Sequence, residues 1–456
     1  MKVVIIGGGT GGYSCAIRFA QLGADVILVE KGSLGGVCLN EGCIPTKTLL
    51  GAANMLYELK ENARQYGITV DNVSFDWNQL KKYKDIVIRR LQNGVKGLLQ
   101  INRVSVVNGT ATFINERQIN VDGKIIEFDA AVVAVGSSSL VPTGIAEKPE
   151  DVISSTEALT LDNLPQSLCI IGGGVIGCEL ATAFSAFGVK VTVIEYLDNI
   201  LNGFDKKQTE VIKTSLKKKG VKFYLSSKVE SVKIIPEGEE ITFLKDGESN
   251  AIQAEKVLVA MGRKANTDNL NLAAAGVELD GGLIKTGKYY RTTTENIYAI
   301  GDCASKIQLA YVASCQGKQV AEYVMTHKES ENAIIPLCVF TIPEIAKVGA
   351  STDDIDASML HAEFPFMASG KAVSAQHTEG SVKVVADKEA HTIKGVSIVG
   401  HGATELIAEA TLAVNKGMTL EELAEIVHAH PVMSEGLGIA VEMLLGSSID
   451  YPPVNN

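Results

Sequence analysis

One pattern of residues occurs twice in this chain, and it strongly limits the possible folds. Residues 2–30 read KVVIIGGGTGGYSCAIRFAQLGADVILVE, and residues 168–195 read LCIIGGGVIGCELATAFSAFGVKVTVIE. Each copy has an apolar run, the spacing G-x-G-x-x-G, an amphipathic stretch and a second apolar run. Each ends in a glutamate 18 residues after the third glycine. This order predicts a strand, a tight turn, a helix and a parallel second strand in both copies.

The glycine spacing is typical of a turn that binds the pyrophosphate of a dinucleotide. The first glycine forms the turn, the second lets the backbone approach the phosphates, and the third lets helix and strand pack closely. The start of the helix offers unpaired N–H groups to the anion. The closing glutamate can accept hydrogen bonds from a ribose diol, and it repels a 2′-phosphate, which favours NAD over NADP. Two dinucleotide sites in one chain suggest electron transfer, with a flavin and a nicotinamide as the natural pair.

The repeat also predicts how the 456 residues divide into domains. Apolar segments at 128–142 and 254–270 read as the closing strands of the two lobes, and a further one at 292–304 lies beyond the second copy. We therefore expect an α/β fold with two Rossmann-like dinucleotide-binding domains, the second inserted into the first. The residues after 336 have strand and helix patterns but no third glycine motif, which predicts a C-terminal α+β domain. One of its helices should begin at the Thr-x-x-Glu capping box of Thr419. The predicted limits are 1–145 and 265–335 for the first domain, 146–264 for the second, and 336–456 for the C-terminal domain.

Charge and hydropathy narrow the possible partners and location. The formal net charge is −11 and the pI is about 5.3, which argues against nucleic acid and anionic membranes as partners. No apolar run reaches the length of a membrane span. The N-terminal apolar run is short and leads directly into the first glycine turn, unlike a secretory signal. We therefore expect a cytoplasmic protein.

The segment LGGVCLNEGCIPTK holds the one closely spaced pair among eight cysteines, Cys38 and Cys43. A zinc site would need further paired ligands, and a plant-type iron–sulfur site would need a third cysteine where Thr46 stands. A static disulfide is uncommon in a cytoplasmic chain of this size. The remaining interpretation is a redox-active disulfide. It would lie near the reactive end of the first cofactor if its loop folds back along the ligand, which the spacing alone leaves open.

A dithiol substrate would need a base, because only the thiolate attacks a disulfide. The segment HAHPVMSEG places His428 and His430 shortly before Glu435. A carboxylate can fix the tautomer of an imidazole and raise its basicity. From these residues alone, an ordinary helix end is nearly as good an interpretation.

Four motifs, taken together and in this order, resemble those of the flavin-dependent pyridine nucleotide–disulfide oxidoreductases. They are the paired glycine patterns, GGVCLNEGCIPTK, YAIGDC and HAHPVMSE. The resemblance runs from residue 2 to about residue 445. Within the family, the motifs are most similar to those of members that oxidise dihydrolipoamide.

The resemblance implies FAD and NAD as cofactors and a role for each motif. Cys38 would exchange with the dithiol substrate, and Cys43 would pass electrons to the flavin. His430 would act as the base, oriented by Glu435, and would reach across the interface of a homodimer. The implied flavin contacts are Gly7, Gly9, Gly12, Glu30, Lys47 with its ion-pair partner Glu179, Ala111, Asp302 and Ala310. The implied NAD contacts are Gly172, Gly174, Gly177, Glu195, Val229 and Gly262.

The activity implied by the resemblance is oxidation of protein-bound dihydrolipoamide to lipoamide, with NAD as the acceptor. Its partner would be a lipoyl-bearing acyltransferase of a 2-oxoacid dehydrogenase complex, or the carrier protein of glycine cleavage. Two alternatives stay open: reduction of another disulfide, such as a CoA or small-thiol disulfide, and a mainly docking role in such a complex. The chain departs from the family pattern at Glu41, Val135 and Ala265. The Glu41 carboxylate would tend to raise the pKa values of the cysteines unless it points to solvent.

Overall fold

The computed structural model describes residues 1–330 and 333–454. Its α-helices are α1 (Thr10–Gln21), α2 (Gly36–Asn40), α3 (Cys43–Tyr57), α4 (Trp77–Ile101), α5 (Ser155–Ala158), α6 (Val175–Ala186), α7 (Lys206–Lys218), α8 (Ala310–Thr326), α9 (Gly370–Ser374), α10 (Ala403–Lys416), α11 (Leu420–Ala424) and α12 (Glu435–Leu445). No helix in these two ranges is both long enough and apolar enough to cross a membrane.

The first two thirds of the chain contain two parallel sheets and several smaller antiparallel ones, and the last third contains one antiparallel sheet. In chain order they are β1 (Lys2–Ile6), β2 (Asp25–Glu30), β3 (Ser105–Asn108), β4 (Ala111–Asn115), β5 (Gln118–Val121), β6 (Lys124–Glu127), β7 (Ala130–Val133), β8 (Ser137–Ser139), β9 (Ser167–Ile171), β10 (Lys190–Ile194), β11 (Lys222–Tyr224), β12 (Ser227–Ile235), β13 (Gly238–Lys245), β14 (Glu248–Ala254), β15 (Lys256–Val259), β16 (Arg263–Ala265), β17 (Leu279–Asp280), β18 (Leu283–Ile284), β19 (Ile297–Ala299), β20 (Leu337–Val339), β21 (Glu344–Gly349), β22 (Met359–Pro365), β23 (Ser381–Asp387) and β24 (Ile393–Gly400).

The first sheet is built around the first glycine copy. Its strand order is β19-β7-β1-β2-β3, and every neighbouring pair is parallel. Val3, Val4 and Ile5 of β1 are completely buried, because a parallel sheet covered on both faces hides both sides of its central strands. Strand β19 comes from beyond the second copy and pairs with β7, so the chain returns to the first sheet after leaving it.

The second glycine copy forms a sheet with the order β11-β10-β9-β15, again with all pairs parallel. Each copy therefore makes the strand–helix–strand unit that its pattern predicts. A three-stranded antiparallel sheet accompanies each unit, β4-β5-β6 in the first and β12-β13-β14 in the second. Strands β8 and β16 pair with each other and connect the two units.

The last third of the chain forms the antiparallel sheet β20-β21-β24-β23-β22. Helices α10 and α12 share its hydrophobic core, which includes Phe364, Val384 and Ile398. The capping box of Thr419 is present, but the helix that it opens ends at Ala424. The segment up to Pro431 is not helical; proline lacks an N–H donor and disfavours helical backbone in the residue before it. The α/β class with an α+β C-terminal part is thus confirmed.

Candidate active site

The turn between β1 and α1 uses its three glycines for three different purposes. Gly7 has a φ of +105°, and a Cβ there would collide with the carbonyl of Ala134. A Cβ on Gly12 would collide with the carbonyl of Gly7. Above Gly9 the space is open, because the nearest atom to an added Cβ is the Cα of Gly36 at 3.8 Å. The middle glycine is therefore the one that a ligand can approach.

The turn between β9 and α6 repeats this arrangement in the second unit. Gly172 has a φ of +111°, and a Cβ there would lie 2.5 Å from the carbonyl oxygen of Ala260. A Cβ on Gly177 would collide with the carbonyl of Gly172. Nothing lies within 4 Å of an added Cβ at Gly174. Both turns thus leave room over their middle glycine, in front of the first N–H groups of a helix.

The carboxylates at the ends of β2 and β10 are held in matching ways. Each accepts two backbone hydrogen bonds, one from its own glycine turn and one from the residue two positions further on. The N···O distances are 2.5 Å from Gly8 and 2.6 Å from Gly32 to Glu30, and 2.5 Å from Gly173 and 2.7 Å from Leu197 to Glu195. These bonds fix both carboxylates next to the turns, where a ribose bound beside the pyrophosphate would lie.

The remaining predicted cofactor residues surround the carboxyl ends of the two parallel sheets. Ala111 is buried at the start of β4, Asp302 lies in a short 3-10 turn after β19, and Ala310 begins α8. Val229 lies at a bulge of β12, and Gly262 has a φ of +122° between β15 and β16.

A hydrogen-bond network around Asp302 was not predicted from the sequence. The Ser137 hydroxyl donates to Oδ2 of Asp302 at 2.5 Å. Arg263 donates from Nε to the Ser137 hydroxyl at 2.8 Å and from Nη2 to its carbonyl at 2.7 Å. The network connects β8 and β16, the strands between the two units, with the turn that follows β19 of the first sheet. No local sequence signal indicates it, because its members come from three distant segments.

Cys38 and Cys43 lie at the junction of two consecutive helices. Cys38 belongs to α2, and Cys43 is the first residue of α3, so its thiol lies at a helix N-terminus. Both are partly buried free thiols, and their side chains are hydrogen-bonded to each other. The Thr10 hydroxyl also bonds to Cys38, which places the pair against the start of α1. The loop thus folds back onto the first glycine turn.

The two thiols have very different acidities. The hydrogen bond from Cys38 lowers the pKa of Cys43 to about 7; burial and the charge of Glu179 oppose this, and the charge of Lys47 and a backbone N–H at the helix start assist it. The hydrogen bond to Cys43, followed by burial, raises the pKa of Cys38. In the dithiol form, Cys43 is therefore the thiol that becomes a thiolate near neutral pH.

An ion pair lies directly beside Cys43. Lys47, on α3, donates to both carboxylate oxygens of Glu179, on α6, at 2.9 and 2.8 Å. The backbone N–H of Phe340 donates to the same carboxylate at 3.0 Å, and the Phe340 ring lies 4.3 Å below the Lys47 ammonium. The pair thus joins the first unit, the second unit and the C-terminal sheet. Phe340 has no motif of its own, and only the tertiary structure brings it to this site.

The low pKa of Cys43 predicts a measurable pH dependence. In the reduced wild-type protein, where the Cys38 thiol still donates to Cys43, alkylation of Cys43 by iodoacetamide should rise with pH through a midpoint near 7. Lys47→Met should raise that midpoint by about one unit or more, because it removes a nearby positive charge and leaves Glu179 uncompensated. Mass spectrometry of the Cys43 peptide measures the rate. Lys60→Met, at an exposed position, is the control; equal midpoints in the two lysine variants would contradict the role of Lys47.

His430 and Glu435 form a hydrogen-bonded pair. The Nδ1 atom of His430 lies 2.8 Å from Oε1 of Glu435, whose other oxygen accepts the N–H of Val432 at 2.8 Å. Burial alone would raise the pKa of Glu435, but the bonds from Val432 and His430 bring it below its ordinary value. The Nε2 edge of His430 is left open, since its side chain is 80% exposed. Within the described part of this single chain, no hydrogen bond joins His430 to either cysteine.

The structure also shows the surroundings of two other motif residues, His428 and Glu41. His428 bonds to Glu409 of α10 at 2.9 Å, and its side chain is only 13% exposed, so it serves packing. Glu41 is exposed at the end of α2, and the charges that act on Cys43 come from Lys47 and Glu179 instead.

Within residues 1–330 and 333–454, no group of three or more His, Cys, Asp or Glu side chains is placed to hold a metal ion.

Residues 1–317 match the family model described as pyridine nucleotide-disulphide oxidoreductase. Residues 335–441 match the dimerisation domain of the same proteins. The chain belongs to the pyridine nucleotide–disulphide oxidoreductases. It is therefore an oxidoreductase, and the resemblance drawn from its motifs is confirmed. The sheet of β20–β24 lies largely in its dimerisation domain, which indicates a homodimer.

Relatives in this family match along nearly the whole chain. The dihydrolipoyl dehydrogenases of Geobacillus stearothermophilus and Bacillus subtilis are both 40% identical to it, over 98% of this chain and 97% of theirs. Among solved structures, LpdA of Mycobacterium tuberculosis has a TM-score of 0.90 at 26% identity, covering 97% of this chain and 99% of LpdA. The HOCl-induced flavoprotein disulfide reductase RclA of Escherichia coli has a TM-score of 0.86 at 27% identity, over 97% and 99%.

Proposed function

We propose that this oxidoreductase is a dihydrolipoyl dehydrogenase, which oxidises protein-bound dihydrolipoamide through Cys38 and Cys43. The observation that carries the proposal is the thiol pair itself, hydrogen-bonded beside the Lys47–Glu179 ion pair where the two glycine units meet. Relatives that carry this name are 40% identical over nearly full length. Such a relationship favours the same reaction class.

We further propose domain limits of 1–145 and 265–335 for an FAD-binding domain, 146–264 for an NAD-binding domain, and 336–456 for the interface domain. The return of β19 to the first sheet supports the discontinuous first domain. Strands β8 and β16 lie near the two points where the chain passes from one unit to the other. Their pairing supports domain boundaries in this region.

The residues present fit FAD in the first unit and NAD in the second. The open space over Gly9 and Gly174 admits a pyrophosphate, and Glu30 and Glu195 are held where they can accept hydrogen bonds from ribose hydroxyls. When bound, FAD and NAD supply the two-electron chemistry that amino-acid side chains lack. The chain's own part is to hold both ligands, to keep Lys47 against Glu179, and to present the sulfurs.

The sulfur chemistry follows from the acidities of the two thiols. With Cys38 and Cys43 joined as a disulfide, a substrate thiolate attacks the Cys38 sulfur, breaks the disulfide and leaves Cys43 as the leaving thiolate. The second substrate thiol then displaces Cys38 and closes the lipoamide ring. The substrate loses two electrons and two protons in total. The charge of Lys47 and the backbone N–H at the start of α3 also lower the pKa of Cys43, and both remain in place to stabilise it as the leaving thiolate.

We propose that His430 of one subunit accepts the substrate's proton at the cysteine pair of the other. The exposed Nε2 edge, the bond from Nδ1 to Glu435 and the location in the dimerisation domain support this role. Each active site would then need both copies. The proposed partner is the lipoyl-bearing acyltransferase of a 2-oxoacid dehydrogenase complex or a glycine-cleavage carrier protein. We propose a cytoplasmic location, since a redox-active rather than a structural disulfide is typical of a reducing compartment.

A different disulfide substrate is the second candidate. It is favoured by the match to RclA, which is described as a flavoprotein disulfide reductase. The deciding experiment compares NADH-dependent reduction of lipoamide with reduction of CoA disulfide, glutathione disulfide and cystine. We expect lipoamide to be preferred, and a higher kcat/KM for any other disulfide would transfer the proposal to that substrate.

The Glu195 carboxylate is expected to decide between NAD and NADP. Glu195→Gln should raise the KM for NAD about ten- to a hundredfold, because a hydrogen bond to a charged group contributes roughly 1.5–3 kcal/mol. The use of NADP should rise at the same time, since the repulsion of a 2′-phosphate is removed. Steady-state kinetics with both nucleotides tests this. Bound FAD should stay unchanged, and an unaltered NAD:NADP preference would mean that Glu195 does not face the ribose.

A further inference from the structure

A buried ion pair connects the second glycine unit to the dimerisation domain. Lys383, on β23, donates from Nζ to Oδ1 of Asp205 at 2.7 Å, and the two side chains are 3% and 1% exposed. Asp205 precedes α7 and belongs to the loop that follows β10. A fully buried charge pair is costly to desolvate and is retained only with good geometry and further hydrogen bonds. The active site described above does not use it.

Further hydrogen bonds surround the pair and fix its orientation. Asp205 accepts the backbone N–H of Gln208 at 3.0 Å, which caps α7, and it also accepts the hydroxyl of Thr352. The side-chain amide of Gln208 donates to the carbonyl of Ser397, on β24, at 3.2 Å. Burial alone would raise the pKa of Asp205, but the bonds from Lys383 and Thr352 lower it, so the carboxylate is charged at neutral pH.

The other end of this loop touches the glycine turn. The N–H of Leu201 donates to the carbonyl of Gly173 at 2.9 Å, and Ile200 lies against the same glycine, only 3.0 Å from the position of an added Cβ. Ile200 and Leu201 are both buried. The path from Lys383 through Asp205 to Gly173 therefore follows one short stretch of chain, residues 200–205, whose two ends are buried and whose middle, Asn202 and Gly203, is exposed.

We propose that Lys383 and Asp205 are positioning residues that hold the nicotinamide-nucleotide turn in a fixed orientation relative to the rest of the active site. This inference rests on the proposed function, in which the second unit binds NAD. The two ends of the pair belong to separate folding units, and its bonds are directional, so it fixes orientation where apolar packing would allow sliding. Neither residue needs to touch a ligand to have this effect.

The test separates the two half-reactions of the enzyme in stopped-flow experiments. Lys383→Met should slow flavin reduction by NADH about tenfold, because a displacement of about 1 Å can cost up to a hundredfold in rate. Reduction by dihydrolipoamide, which does not use the NAD turn, should change less than about twofold. The double variant Asp205→Asn, Lys383→Met leaves no unpaired charge in the buried site, because Glu363, which lies 3.7 Å from Lys383, is 43% exposed. It serves if the single variant does not fold. It should show the same split.

The matched control is Lys218→Met, which breaks an exposed ion pair with Glu379 between α7 and the dimerisation domain. Both half-reactions should stay at the wild-type rate in this variant. Parallel slowing of the two half-reactions in the Lys383→Met and double variants, or unchanged rates in both, would show a structural role only and overturn the inference. A wild-type protein that NADH cannot reduce would instead overturn the proposed function.

Discussion

Replacing Cys43 with serine should abolish lipoamide turnover, by at least about 10³-fold, because a serine oxygen cannot form the exchangeable bond to Cys38. The variant should still fold and bind FAD, because serine is close to cysteine in size and can occupy the first position of α3. It should also keep electron transfer from NADH to an artificial dye acceptor, which bypasses the sulfurs. Parallel assays with lipoamide and with the dye measure the two activities on one preparation.

The matched control is Cys315→Ser, the same chemical change in α8 at a cysteine of similar intermediate burial. It should leave both activities near the wild-type level. Full lipoamide activity in Cys43→Ser would show that the thiol pair takes no part in the reaction. The central proposal would then be lost.

Replacing His430 with glutamine should slow dihydrolipoamide oxidation by about 10²- to 10⁴-fold, the usual contribution of a positioned general base. The Nε2 edge of His430 is exposed to an approaching thiol, whereas Glu435 is held by His430 and the N–H of Val432. Transfer from NADH to the dye should be almost unaffected. His391→Gln is the matched control, because His391 also pairs with a glutamate, Glu421, at an exposed site.

Mixing the two inactive variants tests where His430 acts. If the histidine of one subunit serves the cysteines of the other, a heterodimer of Cys43→Ser and His430→Gln chains has one intact site. Random exchange of subunits should then restore about a quarter of the wild-type activity. No recovery in verified heterodimers would place His430 and the cysteines of one site in the same chain. Equal losses of His430→Gln in both assays would instead argue against its role as a base.

Much of this architecture could be predicted from short stretches of the chain. Each glycine pattern encodes a complete strand–turn–helix–strand unit, because the positive φ of Gly7 and Gly172 and the close packing at Gly12 and Gly177 are local requirements that only glycine meets. The capping box at Thr419 is equally local and was correctly predicted. The end of the helix after it was not predicted, since no glycine or proline stands between Ala424 and Pro431 to mark it.

Residue identity and spacing thus determined the two dinucleotide units, the paired cysteines and the candidate base. Only the tertiary structure brought Phe340 to the Lys47–Glu179 pair, made Cys43 the more acidic thiol, left Glu41 in solvent, and joined Asp205 to Lys383. The physical reason is the range of the interactions. Turn geometry and helix capping act within a few residues, whereas charge pairing and burial act between segments that are far apart in the sequence.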